Sequence, residues 1–287
     1  MIIQMAQSVP VNDTEIAYSE LGHGRPLVLL HGGLVSASQA FAATPVSYAG
    51  HLERLARTFR VIAPDTRAAG GTRHPGGPAS ATLLCDDVAG LIQALGLERP
   101  LVAGFSEGGL TALLLGIRHP GAVGAIVSDA GYDMLNPDAP AFELLQQMLG
   151  PGDPADLDTV AAVRAFSQDP QMAALLGMLE AEIIERQGPD AWPTYLRSTI
   201  GRWARWPGYG YADLAQITVP TLIMVGDRDH FCSVEQAILA VQQLSEGELA
   251  VLPGTGHIIT RTKIDVMLDF LQRSTTNSPM VSHPIRS

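Results

Sequence analysis

The chain has 287 residues, 46% of them hydrophobic, with a formal net charge of -11 and a pI near 5.1. That balance argues against nucleic acid and against an anionic membrane surface as partners, since both call for basic patches. Two cysteines, Cys85 and Cys232, make no disulfide framework; no apolar run reaches spanning length, and no His-x-x-x-His or paired-cysteine spacing implies a metal.

In chain order, the N-terminal stretch lacks the basic segment of a secretory leader and soon meets Asp13 and Glu15, so a cytoplasmic location is expected. A hairpin around Val11 to Ser19 leads to Leu27-Val28-Leu29-Leu30, a continuous apolar run that reads as a buried parallel strand opening into the loop His31-Gly32-Gly33. A helix near Val46 to Thr58, a strand Arg60 to Ala63 and a helix near Ala81 to Leu95 follow. Next comes the strand that ends at Gly104-Phe105-Ser106-Glu107-Gly108, then the apolar helix Leu110 to Ile117 and the strand Gly124 to Ser128. Strands alternating with helices predict an α/β fold with a mostly parallel central sheet and helices on both faces.

From residue 133 to about 216 the alternation stops. Helical runs at Phe142 to Leu149, Val160 to Phe166 and Met172 to Ile184 are punctuated by prolines, and strands resume at Thr221. The expected organisation is therefore a core over residues 1–132 and 217–274, interrupted by a helical cap over 133–216, with a disordered tail over 275–287. The cap would sit above the strand ends, where open α/β sheets bind ligands.

Four of those strand ends carry candidate chemistry. Gly104-x-Ser106-x-Gly108 between a strand and a helix puts a serine at the tip of a tight turn, exposed to a base and to backbone donors. Capping of the following helix is the plainer role for such a serine. The glycines after Leu30 let the main chain approach an anion closely, so the N–H of Gly33, or of its neighbour Leu34, joins the N–H of Glu107 as an expected oxyanion donor. His31 is expected to brace that loop through hydrogen bonds rather than to react. Gly226-Asp227-Arg228-Asp229 closes another apolar strand with two acids, one of which could orient a histidine. The last strand, Leu249 to Leu252, runs into Pro253-Gly254-Thr255-Gly256-His257. Among eight histidines, His257 stands out as the base, because His230 lies too close to the acids and the others fall in turns, helix ends or the tail.

These residues resemble the α/β-hydrolase fold family, in particular its serine hydrolases with a helical cap, over about residues 10–273. The order Ser106, Asp229, His257 is similar to the family's nucleophile, acid and base, and the resemblance makes Asp229 the acid and Asp227 a turn former. Asp129, at the end of the strand Ala125 to Ser128, is the rival acid. Where such proteins often carry Asp-x-Arg-Gly-His-Gly-x-Ser, this chain reads Asp65-Thr66-Arg67-Ala68-Ala69-Gly70-Gly71-Thr72.

The cap holds all three tryptophans, Trp192, Trp203 and Trp206, and three of six tyrosines, which suits either an aromatic roof or glue between helices. Leu34, Trp203 and Trp206 are the expected substrate contacts, and Cys232 is a candidate pocket neighbour that as readily packs as a small hydrophobe. The expected activity is cofactor-independent hydrolysis of a small, largely apolar carboxylic ester or lactone through an acyl-enzyme, with no metal and a small molecule as partner. A carbon–carbon bond hydrolase on a diketone, a peroxidase-like side activity and a ligand-binding receptor are the alternatives. An epoxide hydrolase or dehalogenase is disfavoured, since the resemblance would then require an aspartate where Ser106 stands.

Overall fold

The computed structural model describes residues 4–33, 46–75, 79–139, 158, 161, 170–203 and 205–276. Eight strands form one sheet: β1 Gln4–Val11, β2 Thr14–Leu21, β3 Pro26–Leu30, β4 Arg60–Pro64, β5 Leu101–Phe105, β6 Ala125–Asp129, β7 Thr221–Gly226 and β8 Gly247–Leu252, in the order β1-β2-β4-β3-β5-β6-β7-β8. β1 and β2 pair antiparallel around Asn12-Asp13, β2 pairs antiparallel with β4, and every later pairing is parallel. The hairpin is longer than its sequence signal, because polarity does not alternate along β1; exposure does, with Ser8 and Pro10 exposed between more buried neighbours.

The central strands are apolar because both faces are buried. β5, β6 and β7 have no exposed residue: α3 Glu107–Arg118 packs against β5 and β6, with α2 Ala81–Ala94 beside it, and the helix Arg261–Thr276 packs against β6 and β7. α3 is buried at every position from Glu107 to Ile117, which explains a helix with almost no polar face. Each fully buried Leu or Ile there contributes roughly 1.5–3 kcal/mol of transfer free energy. Helix starts follow local chemistry: Ser80 Oγ accepts from Leu83 N at the start of α2, and Ser233 Oγ from Gln236 N at the start of α6 Val234–Val241. Between Val46 and Thr58 the expected single helix is a short 3-10 turn followed by α1 Leu52–Ala56.

The segment between β6 and β7 contains α4 Pro170–Gln187 and α5 Ala191–Trp203, flanked by 3-10 turns at Asp133–Leu135 and Tyr211–Gln216. The expected helical runs at Phe142 to Leu149 and Val160 to Phe166 lie largely outside the described residues. Leu179, Ile183, Trp192, Tyr195, Leu196 and Ile200 build a second apolar cluster with Ala68 and Ala69. The two alanines that depart from the family pattern are thus the floor on which α4 and α5 rest. Ala68 holds φ 73, a left-handed value that a Cβ makes costly by ~1 kcal/mol or more. Gln187 Nε2 secures the turn by donating to Ala68 O, Gly70 O and Thr72 O. The two flanks belong to the main core instead, since Leu135 and Leu214 pack there. The last helix, α7 Arg261–Thr276, runs two residues into the stretch expected as tail, and residues 277–287 lie outside the described set. Among the described residues no helix is long and apolar enough to cross a membrane.

Candidate functional site

Ser106 links β5 to α3 at φ 54, ψ -119, a conformation in which a side chain is rarely found. Such strain costs on the order of 1–3 kcal/mol and persists only where surroundings enforce it. Here Ser106 N donates to Asp129 O at 2.7 Å, and Leu110 N to Ser106 O at 3.0 Å. The two glycines are required by contact: a Cβ on Gly104 would run into Gly108 O, and one on Gly108 into Leu30 O. Ser106 makes no side-chain cap bond to α3, so the serine's plainer role is not exercised.

β7 and β8 bring in the acid and the histidine. Asp229 Oδ2 lies 2.8 Å from His257 Nδ1, and its Oδ1 accepts from Phe231 N at 2.9 Å and Cys232 N at 3.1 Å. Burial pushes the Asp229 carboxyl up, but the bond and charge of His257 and the two backbone donors hold it below the ordinary carboxylate value. An ionised Asp229 fixes the proton on Nδ1 and leaves Nε2 as the basic nitrogen. The imidazole lies between Phe105, the residue before Ser106, and Phe231, with ring centroids 4.7 and 4.9 Å away. Among the described residues no hydrogen bond joins His257 to Ser106 Oγ, a contact that commonly tightens only with substrate.

Asp129, the rival acid, faces elsewhere. Its Oδ1 accepts from the buried ammonium of Lys263 at 2.7 Å, and Lys263 also lies 5.5 Å from the centre of the Phe105 ring. Asp227 Oδ1 accepts from Thr255 N, tying the acid turn to the histidine loop. Cys232 is buried and donates to Ala130 O at 3.1 Å, with its thiol pushed well up by burial and the nearby carboxylates. Asp229, Cys232 and His257 could in principle share a metal, as could Cys85, Asp86 and His119, yet their polar atoms are engaged with one another and with Arg118 and Ala130.

His31 braces the Gly32-Gly33 loop: Nδ1 is 2.6 Å from Gly32 O and Nε2 accepts from Thr66 N at 3.0 Å. Burial lowers its pKa, so it stands neutral there. Gly33 lies under α5, where Tyr195 Oη donates to Gly33 O at 2.5 Å and a Cβ on Gly33 would run into the Trp203 ring. Glu107 is bound to the same helix through Arg202 and Trp203. Trp206 is half exposed and donates to Tyr209 O, so the structure joins Trp203, not Trp206, to the elbow. Leu34 lies outside the described residues.

Sequence reasoning passed over Arg202, Lys263 and Asp133, and placed Tyr195 only among the cap aromatics, without its bond to Gly33. Tyr195, Thr199 and Arg202 recur at helical spacing, so a shared face was readable, but nothing named what it would meet. Asp133 is buried with no hydrogen-bond partner on Oδ2, and its carboxyl is pushed up to about 7, first by burial and then by Asp229. With the folded value above the ordinary 3.8, the folded state binds the extra proton, and stability falls as pH rises from about 4 to about 7. Asp133→Asn is therefore expected to gain stability over the parent at pH 8 relative to pH 4, by up to about 4 kcal/mol. Urea denaturation of both proteins at the two pH values measures it, and a pH-independent difference would refute the assignment.

A strained serine on a strand-to-helix turn, a carboxylate-bound histidine and a parallel sheet with helices across its ends define a class of protein, the α/β hydrolases. The family model for the alpha/beta hydrolase fold matches residues 25–180, more than half of the chain, and the chain belongs to that family. It is 28% identical over 259 residues to the AB hydrolase superfamily protein YisY of Bacillus subtilis, covering 83% of this chain and 87% of that protein. It is 26% identical over 278 residues to a 2-hydroxy-6-oxo-2,4-heptadienoate hydrolase of Pseudomonas putida, covering 93% and 96%. The solved structure of a thermophilic esterase from Thermogutta terrifontis matches with a TM-score of 0.68 at 22% identity, over 94% of this chain and 99% of that one.

Proposed function

We propose that this hydrolase is a cofactor-independent serine esterase acting on a small, largely apolar carboxylic ester or lactone. The observation that carries the reading is Ser106 at its strained turn directly after Phe105, whose ring packs against the imidazole of the His257–Asp229 pair. In this mechanism His257 Nε2 takes the Ser106 hydroxyl proton as Oγ attacks the acyl carbon, and the N–H groups of Gly33 and Glu107 hold the oxyanion. Collapse expels the alkoxide, which takes the proton from His257. Water then attacks the acyl-enzyme by the same route and releases the acid.

The relative from Pseudomonas putida favours a second reading, in which the same residues cleave a carbon–carbon bond of a carboxylate-bearing diketone. Such a substrate needs a cation for its carboxylate. The Arg202 guanidinium, the cation bound at the elbow, is already matched to Glu107 at 2.9 Å on both oxygens, which favours a neutral ester. The ring of Trp203 over Gly33 supports an apolar roof on the acyl side.

Turnover of p-nitrophenyl esters of increasing chain length, set beside a 2-hydroxy-6-oxo-dienoate, tests the reading. Ester hydrolysis should dominate, and Trp203→Ala should shift preference toward longer acyl chains by roughly tenfold, about the worth of one or two methylenes in an apolar pocket. Faster diketone cleavage would install the second reading, and an equal loss on every ester would make Trp203 structural only.

A further inference from the structure

One face of α5 meets both residues whose N–H groups are the expected oxyanion donors, at the carbonyl of Gly33 and the side chain of Glu107. Tyr195 Oη donates to Gly33 O at 2.5 Å; about two turns along the helix, Arg202 Nε and Nη2 reach the two carboxylate oxygens of Glu107 at 2.9 Å each, and Trp203 Nε1 donates to Glu107 Oε1 at 2.9 Å. Arg202 is itself held by Ser198 Oγ at 2.9 Å, with Thr199 Oγ1 at 3.4 Å. Arg202, Glu107 and Tyr195 are all buried.

We propose that Arg202 and Tyr195 are positioning residues through which α5 assembles the oxyanion hole. The inference rests on the reading of Gly33 and Glu107 as its donors. Tyr195 anchors the carbonyl of Gly33 and so restrains rotation about the Cα of the residue whose N–H is the expected donor. The bidentate Arg202 pair and the Trp203 bond fix the side chain of Glu107, and with it the first peptide of α3. Charge makes Arg202 necessary as well. An acidic residue directly after the nucleophile places a carboxylate beside the site where negative charge develops, and in a buried setting that repulsion is weakly screened. Arg202 cancels it. The hole is then complete only when α5 is seated, which ties cap docking to the chemical step.

The test uses the full chain and its Arg202→Gln, Arg202→Lys, Tyr195→Phe and Glu107→Gln/Arg202→Gln variants, with p-nitrophenyl acetate as substrate and phenylboronic acid as tetrahedral inhibitor. Arg202→Gln should lower kcat by ~10²-fold with KM little changed, and phenylboronic acid should weaken in step. Tyr195→Phe should cost about tenfold in kcat, Arg202→Lys should fall between the parent and Arg202→Gln because it keeps charge but loses the fork, and the double variant should recover about tenfold over Arg202→Gln. Rates for Arg202→Gln and Tyr195→Phe within about threefold of the parent, or lost turnover with unchanged boronate inhibition, would overturn the proposal. Should Arg202→Gln fail to fold, Tyr195→Phe and the double variant decide by the same criteria. If the parent neither hydrolyses esters nor takes a fluorophosphonate on Ser106, the esterase reading falls by itself. Amide hydrogen exchange then decides the positioning role: Tyr195→Phe should speed exchange in the segment bearing Gly33 by about tenfold, and unchanged rates would sink it.

Discussion

Ser106→Ala is expected to lower ester turnover by about 10⁴–10⁶-fold while leaving the fold intact, and a fluorophosphonate that labels the parent should no longer add to the protein. On the proposed mechanism the loss is large because the attacking oxygen disappears, whereas the proposed oxyanion donors and apolar roof would remain and account for residual catalysis over water. Stability should hardly move, since alanine inherits the same strained backbone at φ 54. Ser106→Gly separates strain from chemistry: it should be equally inactive yet more stable by about 1 kcal/mol, because glycine occupies that region without penalty. Peptide mapping that places the phosphonate on another serine would remove Ser106 from the mechanism.

Asp229→Asn is expected to lower kcat by about 10⁴-fold, because a neutral amide neither enforces the Nδ1 proton nor stabilises the imidazolium. The structure gives the opposite expectation for Asp129→Asn. Its carboxylate is bound to Lys263 rather than to His257, so activity should stay within about tenfold while stability drops by about 3–5 kcal/mol, the cost of stranding a buried ammonium. Steady-state kinetics and urea denaturation of the two variants side by side decide the matter. Near-normal rates in Asp229→Asn together with a collapse of activity in a folded Asp129→Asn would exchange the two roles.

Much of the architecture is legible in the sequence. Strands buried on both faces must be apolar throughout, so Leu27 to Leu30, Leu101 to Phe105 and Thr221 to Gly226 announced themselves, and the loss of alternation after Ser128 marked the insertion. The strand-to-helix turn at Ser106 is legible for a related reason. So tight a turn demands glycine at fixed offsets, and that steric demand is written in local sequence.

What spans the chain was not legible. In sequence Ala68 and Ala69 are only a departure from the family's pattern, and packing alone makes them the floor beneath α4 and α5. Asp129 and Asp229 are equivalent as strand-end acids until Lys263, far along the chain, claims one and His257 the other. Trp203 and Trp206 share a helical period, yet one covers Gly33 and the other turns to Tyr209. The sequence by itself determined the sheet, the interrupted alternation, the serine turn and the histidine loop, because each depends on sterics and burial within a few residues. Tertiary structure decided which acid meets the histidine and which face of α5 reaches Gly33 and Glu107. Those pairings join residues up to about 160 positions apart, and complementary charge, hydrogen bonds and shape select them only after the chain has closed on itself.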